Sequence, residues 1–148
     1  MTDEKHIGSC LCGNVALEAV GAPTSVAACH CESCRKHTGA PAAVFADYLA
    51  SQVSFTNMHP TLYESSTGVR RGFCAVCGST ISYQADNFPD MIHLHIGIFD
   101  VPDKFAPSAN ENTETKLPWL CVATVLADMT DTTADDPKQT LAVRQDEN

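Results

Sequence analysis

The chain has 148 residues, of which 44% are hydrophobic, and this length fits one domain with a buried core. It carries 18 acidic and 9 basic residues, for a formal net charge of −9 at pH 7. Nucleic acids and anionic membrane surfaces are bound by basic patches, so this balance argues against both kinds of partner. The apolar runs are also far shorter than the ~18 residues that a membrane-spanning helix needs.

The first residues of the chain are polar. Residues 1–5 include Asp3, Glu4 and Lys5 and lack the apolar stretch of a secretory signal peptide, so we expect a cytoplasmic protein. The cytosol is reducing and disfavours disulfides. The eight cysteines of the chain are therefore expected to bind metal or to act in catalysis.

Alternating apolar and polar residues, interrupted by turn residues, predict short β-strands along most of the chain. The predicted strands are residues 15–20, 42–45, 53–55, 61–64, 69–73, 80–83 and 91–99. Helix is scarce, and about one turn is expected at residues 32–37, ended by Gly39 and Pro41. Gly13 and Gly78 each follow a cysteine directly, which is typical of the tight turns of zinc knuckles.

The clearest strand pattern lies at residues 91–99. One face carries Ile92, Leu94, Ile96 and Ile98, and the other carries His93, His95 and Gly97. The His-x-His spacing can bind a metal, but on an alternating strand it is more often an exposed or half-buried face.

The composition changes near the C-terminal end of the chain. Residues 128–148 hold six acidic and two basic residues, together with several threonines and one proline. We interpret residues 1–127 as a zinc-binding domain and residues 128–148 as a solvated acidic tail. The alternative is a segment packed on the domain or on a second subunit, which Leu141 and Val143 support weakly.

Seven of the eight cysteines fall in tight clusters, with spacings that suit a tetrahedral zinc ion. The division that the spacing favours is four plus three: Cys10, Cys12, Cys74 and Cys77 as a closed structural site, and Cys29, Cys31 and Cys34 as a second site with an open position. A closed site of four thiolates has no room for a substrate, whereas three protein ligands are typical of catalytic zinc.

Cys121 leaves one alternative open. If it supplied a fourth thiolate to the second cluster, both sites would be closed and the protein would be a purely structural zinc module. Cys121 lies in the apolar stretch 118–122, where a lone cysteine is more often a small buried hydrophobic residue. A third reading makes Cys121 a reactive redox thiol.

The motifs resemble, in order, one known family. They are Gly8-Ser9-Cys10-Leu11-Cys12-Gly13, then Cys29-His30-Cys31-Glu32-Ser33-Cys34-Arg35-Lys36, then Arg71-Gly72-Phe73-Cys74-Ala75-Val76-Cys77-Gly78-Ser79, followed by Phe99-Asp100 and Pro118-Trp119. The chain is similar to the glutathione-dependent formaldehyde-activating enzymes, a family that includes the zinc domain of centromere protein V. The resemblance implies a β-tent fold of stacked antiparallel sheets, and two zinc ions divided between the cysteines as above.

The resemblance also implies an activity. The family joins the thiol of glutathione to formaldehyde, giving S-hydroxymethylglutathione, so we expect a carbon–sulfur lyase that acts on a thiol–aldehyde adduct. Zinc deprotonates a bound thiol, which makes thiolate delivery the expected role of the second site. Asn110 stands where the family often carries a histidine, so a substrate contact made there in relatives is not carried over. The main alternative is a non-catalytic zinc-binding interaction module on the same fold.

The remaining candidates flank the cysteines. The expected catalytic set is Cys29, Cys31, Cys34 and His37, with His37 as a proton donor to a bound substrate. Arg35 and Lys36 are the candidate contacts for the carboxylates of glutathione. The alternative for such bases, Arg70 and Arg71 above all, is an N–H···S contact that offsets thiolate charge. His30 is expected to point away from the metal.

Overall fold

The computed structural model describes residues 4–120. The predicted acidic tail at 128–148, the boundary at residue 127 and Cys121 lie outside the described residues. Within residues 4–120, no helix is both long enough and apolar enough to cross a membrane.

Short strands make up most of the described chain. The helix α1 spans Glu32–Thr38, and 3-10 turns lie at Ala50–Gln52, Ile96–Ile98, Pro102–Lys104 and Thr113–Thr115. The strands are β1 (Lys5–Ser9), β2 (Ala16–Val20), β3 (Ser25–Cys29), β4 (Ala43–Leu49), β5 (Val53–Phe55), β6 (Thr61–Ser66), β7 (Val69–Phe73), β8 (Thr80–Ala85), β9 (Met91–His95) and β10 (Ala109–Glu111).

The strands form two sheets. A three-stranded sheet has the order β1-β2-β5, and a seven-stranded sheet has the order β10-β3-β4-β9-β8-β7-β6. Neighbouring strands are antiparallel, except that β10 pairs with β3 in parallel. The predicted mainly β class is therefore confirmed, and the parallel pair is an addition that local sequence patterns did not predict.

Strand β4 lies inside the seven-stranded sheet and is buried on both faces. Because side chains alternate along a strand, its residues contribute to two different clusters. Ala46 and Tyr48 belong to the main core, together with Leu17, Ile81, Ile92 and Leu94. On the opposite face, Phe45 packs with Ala43, Cys29 and Cys34 in a second, smaller cluster.

The predicted strand at 91–99 is too long. Strand β9 ends at His95, and Ile96–Ile98 forms a 3-10 turn in which the Phe99 N–H donates to the Ile96 carbonyl at 3.2 Å. The turn lets Phe99 form an isolated bridge with Gly8 of β1, so the chain passes here from the large sheet to the small one. Alternation did not reveal the turn, because Ile96 and Ile98 still pack against the main core.

Gly8 is tightly enclosed by this turn. A Cβ at Gly8 would lie 2.7 Å from the Ile98 carbonyl oxygen and 3.3 Å from the Phe99 Cα, both of them backbone atoms. Gly8→Ala is therefore expected to lower the free energy of unfolding by about 1–3 kcal/mol, the usual cost of overpacking. Gly97→Ala is the matched control, because a Cβ there meets nothing within 4 Å.

Denaturant unfolding of the two variants tests this enclosure. The control is expected to stay within about 0.5 kcal/mol of the unchanged protein. Equal stability of both variants would contradict the close approach of β1 to the 3-10 turn.

Candidate active site

The first cysteine cluster is formed by two tight turns. Cys10 and Cys12 follow β1, while Cys74 and Cys77 follow β7. In each turn a glycine with positive φ, +80° at Gly13 and +77° at Gly78, donates its N–H to the carbonyl of the first cysteine, at 3.0 and 2.8 Å. Other residues are strained at such φ, so glycine is what lets these turns close.

The four thiols of this cluster fit a tetrahedral metal site. Their sulfurs all lie within 4.8 Å of one another, with 3.5 Å between Cys10 and Cys12 and 3.8 Å between Cys12 and Cys74. A zinc ion with Zn–S bonds of about 2.3 Å requires sulfurs about 3.8 Å apart. Cys10 and Cys74 are buried in the main core, and Cys12 and Cys77 pack against it partly exposed. Four thiolates would fill every position of a tetrahedral zinc ion, so this cluster can join two distant turns but leaves no position for a substrate.

Polar neighbours shift the pKa values of the thiols in this cluster. Burial raises the pKa of Cys77, but hydrogen bonds from the Ser79 hydroxyl and backbone N–H outweigh it and lower that pKa to about 6. The Asn14 N–H lowers the pKa of Cys12, but burial and the other three thiols outweigh it and raise that pKa to about 12. Val15 donates its backbone N–H to Cys10 Sγ at 3.2 Å.

The second cluster is built on the start of α1. Cys29 ends β3, Cys31 is the N-cap of α1 and Cys34 lies in its first turn. The Cys34 N–H donates to Cys31 Sγ at 3.3 Å, so the cap itself positions one ligand. The three sulfurs lie within 4.8 Å of one another, which also fits a metal ion.

Nitrogen donors from distant parts of the chain reach the sulfurs of this cluster. Asn112 Nδ2 donates to Cys29 Sγ at 3.2 Å, and Arg71 Nη1 donates to Cys34 Sγ at 3.5 Å. A hydrogen bond from Cys34, then the Cys31 N–H and the Asn112 amide, lower the pKa of Cys29 to about 5. This hydrogen bond to Cys29, followed by burial, raises the pKa of Cys34. Cys29 is thus the sulfur of this pair that loses its proton more readily.

This cluster borders a cavity of about 670 Å³. Phe45, Tyr83, Phe88 and Met91 provide an apolar wall, and Arg71, Asp47, His93, Glu111 and Asn112 provide polar groups beside Cys29, Cys31 and Cys34. Burial, followed by the charges of Asp47 and Cys29, raises the pKa of Glu111 above its ordinary value. The second cluster can therefore face a small organic molecule, which the first cannot.

Arg71 is the cation among the residues that line this cavity. It is only 5% exposed, lies with its Cζ 5.2 Å from the centroid of the Tyr83 ring and donates from Nε to Ser65 Oγ at 3.0 Å. The predicted N–H···S contact is present for Arg71. Arg70 points elsewhere and pairs with Asp86 at 2.7 Å.

Arg35, Lys36 and His37 lie outside the set of cavity-lining residues. Arg35 and Lys36 border a separate groove with Trp119, and Lys36 pairs with Glu32 at 2.8 Å. Successive residues of a helix point in different directions, so following Cys34 in sequence does not bring Arg35 and Lys36 to its side of α1. Neither side chain lines this cavity, and the contacts expected for them with the carboxylates of glutathione stay a prediction.

The His37 ring stacks on the His95 ring, with centroids 6.2 Å apart. Burial, and then Arg71, lower the pKa of His37, while burial, followed by the charges of His37 and Arg71, lowers that of His95 to about 4. His95 is 7% exposed and packs on Phe45, which corrects the expectation of an exposed or half-buried face at this position. His37 does not line the cavity, and the proton-donor role expected for it stays a prediction.

His30 and Asn110 pair with each other. His30 is buried, and its Nε2 lies 2.8 Å from Asn110 Oδ1. Asn110 is in β10, whose parallel register sets Glu111 opposite Cys29 and carries Asn112 to the cluster. Asn110, which stands where the resembled family often carries a histidine, therefore holds β10 against the loop of the second cluster.

The fold and the two clusters match a known family. A model of the glutathione-dependent formaldehyde-activating enzymes matches residues 5–115. The chain belongs to this family. A curated protein of Schizosaccharomyces pombe, described as an uncharacterized lyase, is 30% identical over 95 residues, which are 64% of this chain and 69% of that protein. The predicted resemblance is thereby confirmed, and it supports a lyase-type enzyme whose cysteine clusters could hold zinc.

One solved structure, of a Rhodobacter sphaeroides protein, has the same fold. Its TM-score is 0.57 at 23% sequence identity, and the match covers 70% of this chain and 98% of that one. At this identity the likeness supports the fold alone.

Loss of one cysteine from each cluster is expected to have different effects. Cys74→Ser should unfold or strongly destabilise the domain, because binding of a structural zinc contributes about 10 kcal/mol or more to small domains. Cys34→Ser should stay folded and lose only the second metal. Metal analysis and thermal melts of both variants test this, and similar large losses of stability would contradict the division into a structural and a reactive cluster.

Proposed function

We propose that this protein is a zinc-dependent carbon–sulfur lyase that makes and breaks the adduct of a thiol and an aldehyde at Cys29, Cys31 and Cys34. The observation that carries the proposal is the contrast between the clusters. Four cysteines make up a complete tetrahedral set packed on the core, with Cys10 and Cys74 buried in it, whereas three border a cavity large enough for an organic substrate. A three-ligand zinc site beside a cavity is the usual arrangement for catalysis.

Zinc held by the three sulfurs would supply a coordination position at which a substrate thiol is deprotonated. The protein contributes the other requirements. Arg71 and Asn112 donate N–H groups to two of the ligand sulfurs, which holds them in orientation and offsets their charge. Phe45, Tyr83 and Phe88 line the cavity with aromatic surface, which excludes water from the organic part of the substrate.

Glutathione with formaldehyde is the substrate pair that we propose, from the family to which the chain belongs. The proposal uses Arg71 as the cavity cation in place of Arg35 and Lys36, because Arg71 lines the cavity and they do not. We keep a cytoplasmic location as part of the proposal, since both clusters require reduced thiols.

The proposal is tested with the full-length, zinc-loaded protein. Exchange between free thiol and its hydroxymethyl adduct is followed by NMR in mixtures of glutathione and formaldehyde, with and without protein. We expect exchange to be faster than the unaided reaction, and expect Cys31→Ser to abolish the increase. No increase with the zinc-loaded protein, together with no glutathione binding at millimolar concentration, would favour the non-catalytic zinc-binding module.

Arg71 offers a sharper test of the cavity. A charge-assisted hydrogen bond contributes about 1.5–3 kcal/mol, so Arg71→Gln should lower kcat/KM about tenfold or more. Arg70→Gln is the matched control, because Arg70 neighbours Arg71 in β7 but pairs on the surface with Asp86. Equal kinetics of the two variants would remove Arg71 from the site, provided that thermal melts show Arg71→Gln to be folded.

A further inference from the structure

A carboxylate and a histidine are paired across the wall of the cavity. Asp47 of β4 and His93 of β9 are register partners in neighbouring antiparallel strands, and both line the cavity. His93 Nδ1 lies 2.6 Å from Asp47 Oδ1. Ser25 in β3 donates its hydroxyl to the other carboxylate oxygen, Asp47 Oδ2, at 2.5 Å. Three adjacent strands therefore fix the position of this carboxylate.

The pairing determines which ring nitrogen of His93 carries the proton. An ionised carboxylate can only accept hydrogen bonds, so Nδ1 of a neutral His93 must be the donor to Asp47. The lone pair of the ring is then on Nε2. Among residues 4–120, Nε2 has no hydrogen-bond partner, and it is buried.

The surroundings of His93 are aromatic. Its ring centroid lies 5.3 Å from that of Tyr83, 6.1 Å from that of Phe88 and 6.4 Å from that of Phe45. A buried polar atom without a partner is unfavourable and rare in folded proteins. A hydroxyl or thiol of a molecule in the cavity would satisfy it once the exposed Phe88 ring, which lies beside His93, moves to make room.

We propose that His93 is the general acid–base residue of this cavity and that Asp47 positions it. The inference rests on the proposed function. In the cleavage direction, Nε2 takes the hydroxyl proton of the adduct, the C–O bond becomes a carbonyl, and the C–S bond breaks with its electron pair on sulfur. The thiolate then recovers a proton from the imidazolium, which regenerates neutral His93 and releases thiol and aldehyde.

Synthesis is the reverse of this sequence, so no oxidant or reductant is needed. Nε2 accepts the thiol proton, the sulfur attacks the carbonyl carbon, and the imidazolium protonates the resulting alkoxide. Asp47 keeps the proton on Nδ1 in the neutral ring and stabilises the imidazolium.

The test compares zinc-loaded variants in the glutathione and formaldehyde exchange assay. His93→Gln is expected to lower kcat about 100-fold or more, the usual contribution of general acid–base catalysis, with KM and zinc content little changed. Asp47→Asn should lower kcat by at least tenfold. His59→Gln is the matched control, because His59 is exposed and contacts Phe55 outside the cavity.

Two readouts separate acid–base catalysis from a structural role. His93→Gly should recover part of its activity when imidazole is added, because the free base can occupy the vacated space. The pH profile of kcat should lose one limb in His93→Gln. The other titratable groups along the cavity, which remain in that variant, are Asp47, Glu111, Arg71, Tyr83 and the three cysteines.

The outcomes are distinct. If the unchanged protein accelerates exchange and both His93 variants keep its rate and its pH profile, the assignment of His93 is wrong while the proposed function stands. Loss of activity accompanied by loss of zinc or a lowered melting temperature, without recovery in imidazole, would make His93 structural and also overturn the assignment. If the unchanged protein gives no acceleration, the proposed function fails, and the role of His93 fails with it.

Discussion

Burial of β4 on both faces is the constraint that organises this molecule. Ala46 and Tyr48 fill the main core, while Phe45 and Asp47 on the opposite face line the cavity. One strand therefore contributes both to the core on which the four-cysteine cluster packs and to the cavity beside the three-cysteine cluster. The close packing on the core face limits movement of β4, so the groups on its cavity face are carried by a rigid element.

Seven thiols within residues 4–120 are gathered into two small volumes, and negative charge there must be offset. The first cluster uses local groups, the Val15 N–H and the Ser79 hydroxyl, which belong to its own turns. The second uses Asn112 and Arg71, which come from other parts of the sheet. Buried charge is tolerated only where such donors are present, so the second cluster depends on correct assembly of the whole sheet.

The positions that flank the second cluster in sequence illustrate why proximity along the chain misleads. Arg35 and Lys36 follow Cys34 directly but border a different groove, whereas Arg71 lies 37 residues away in sequence and contacts its sulfur. In a helix, each residue turns the next side chain by about 100°, so one residue facing the cavity directs its successors away from it. Strand register has the opposite effect, since it aligns Asp47 with His93 over a long sequence separation.

Local spacing along the chain was enough to predict the cysteine clusters, and alternation was enough to predict the mainly β class; the family came from the resemblance of the ordered motifs. Three thiols within six residues meet through the geometry of one cap and one helical turn. The short strand β10 and the placement of Arg71, Asn112 and His93 became visible only in the assembled sheet. Ala109–Glu111 is short and exposed and lacks an alternating apolar pattern, so its pairing with β3 leaves no local trace. Which polar groups share a cavity depends on strand order and register, and these are set by burying the apolar faces of the inner strands at the same time.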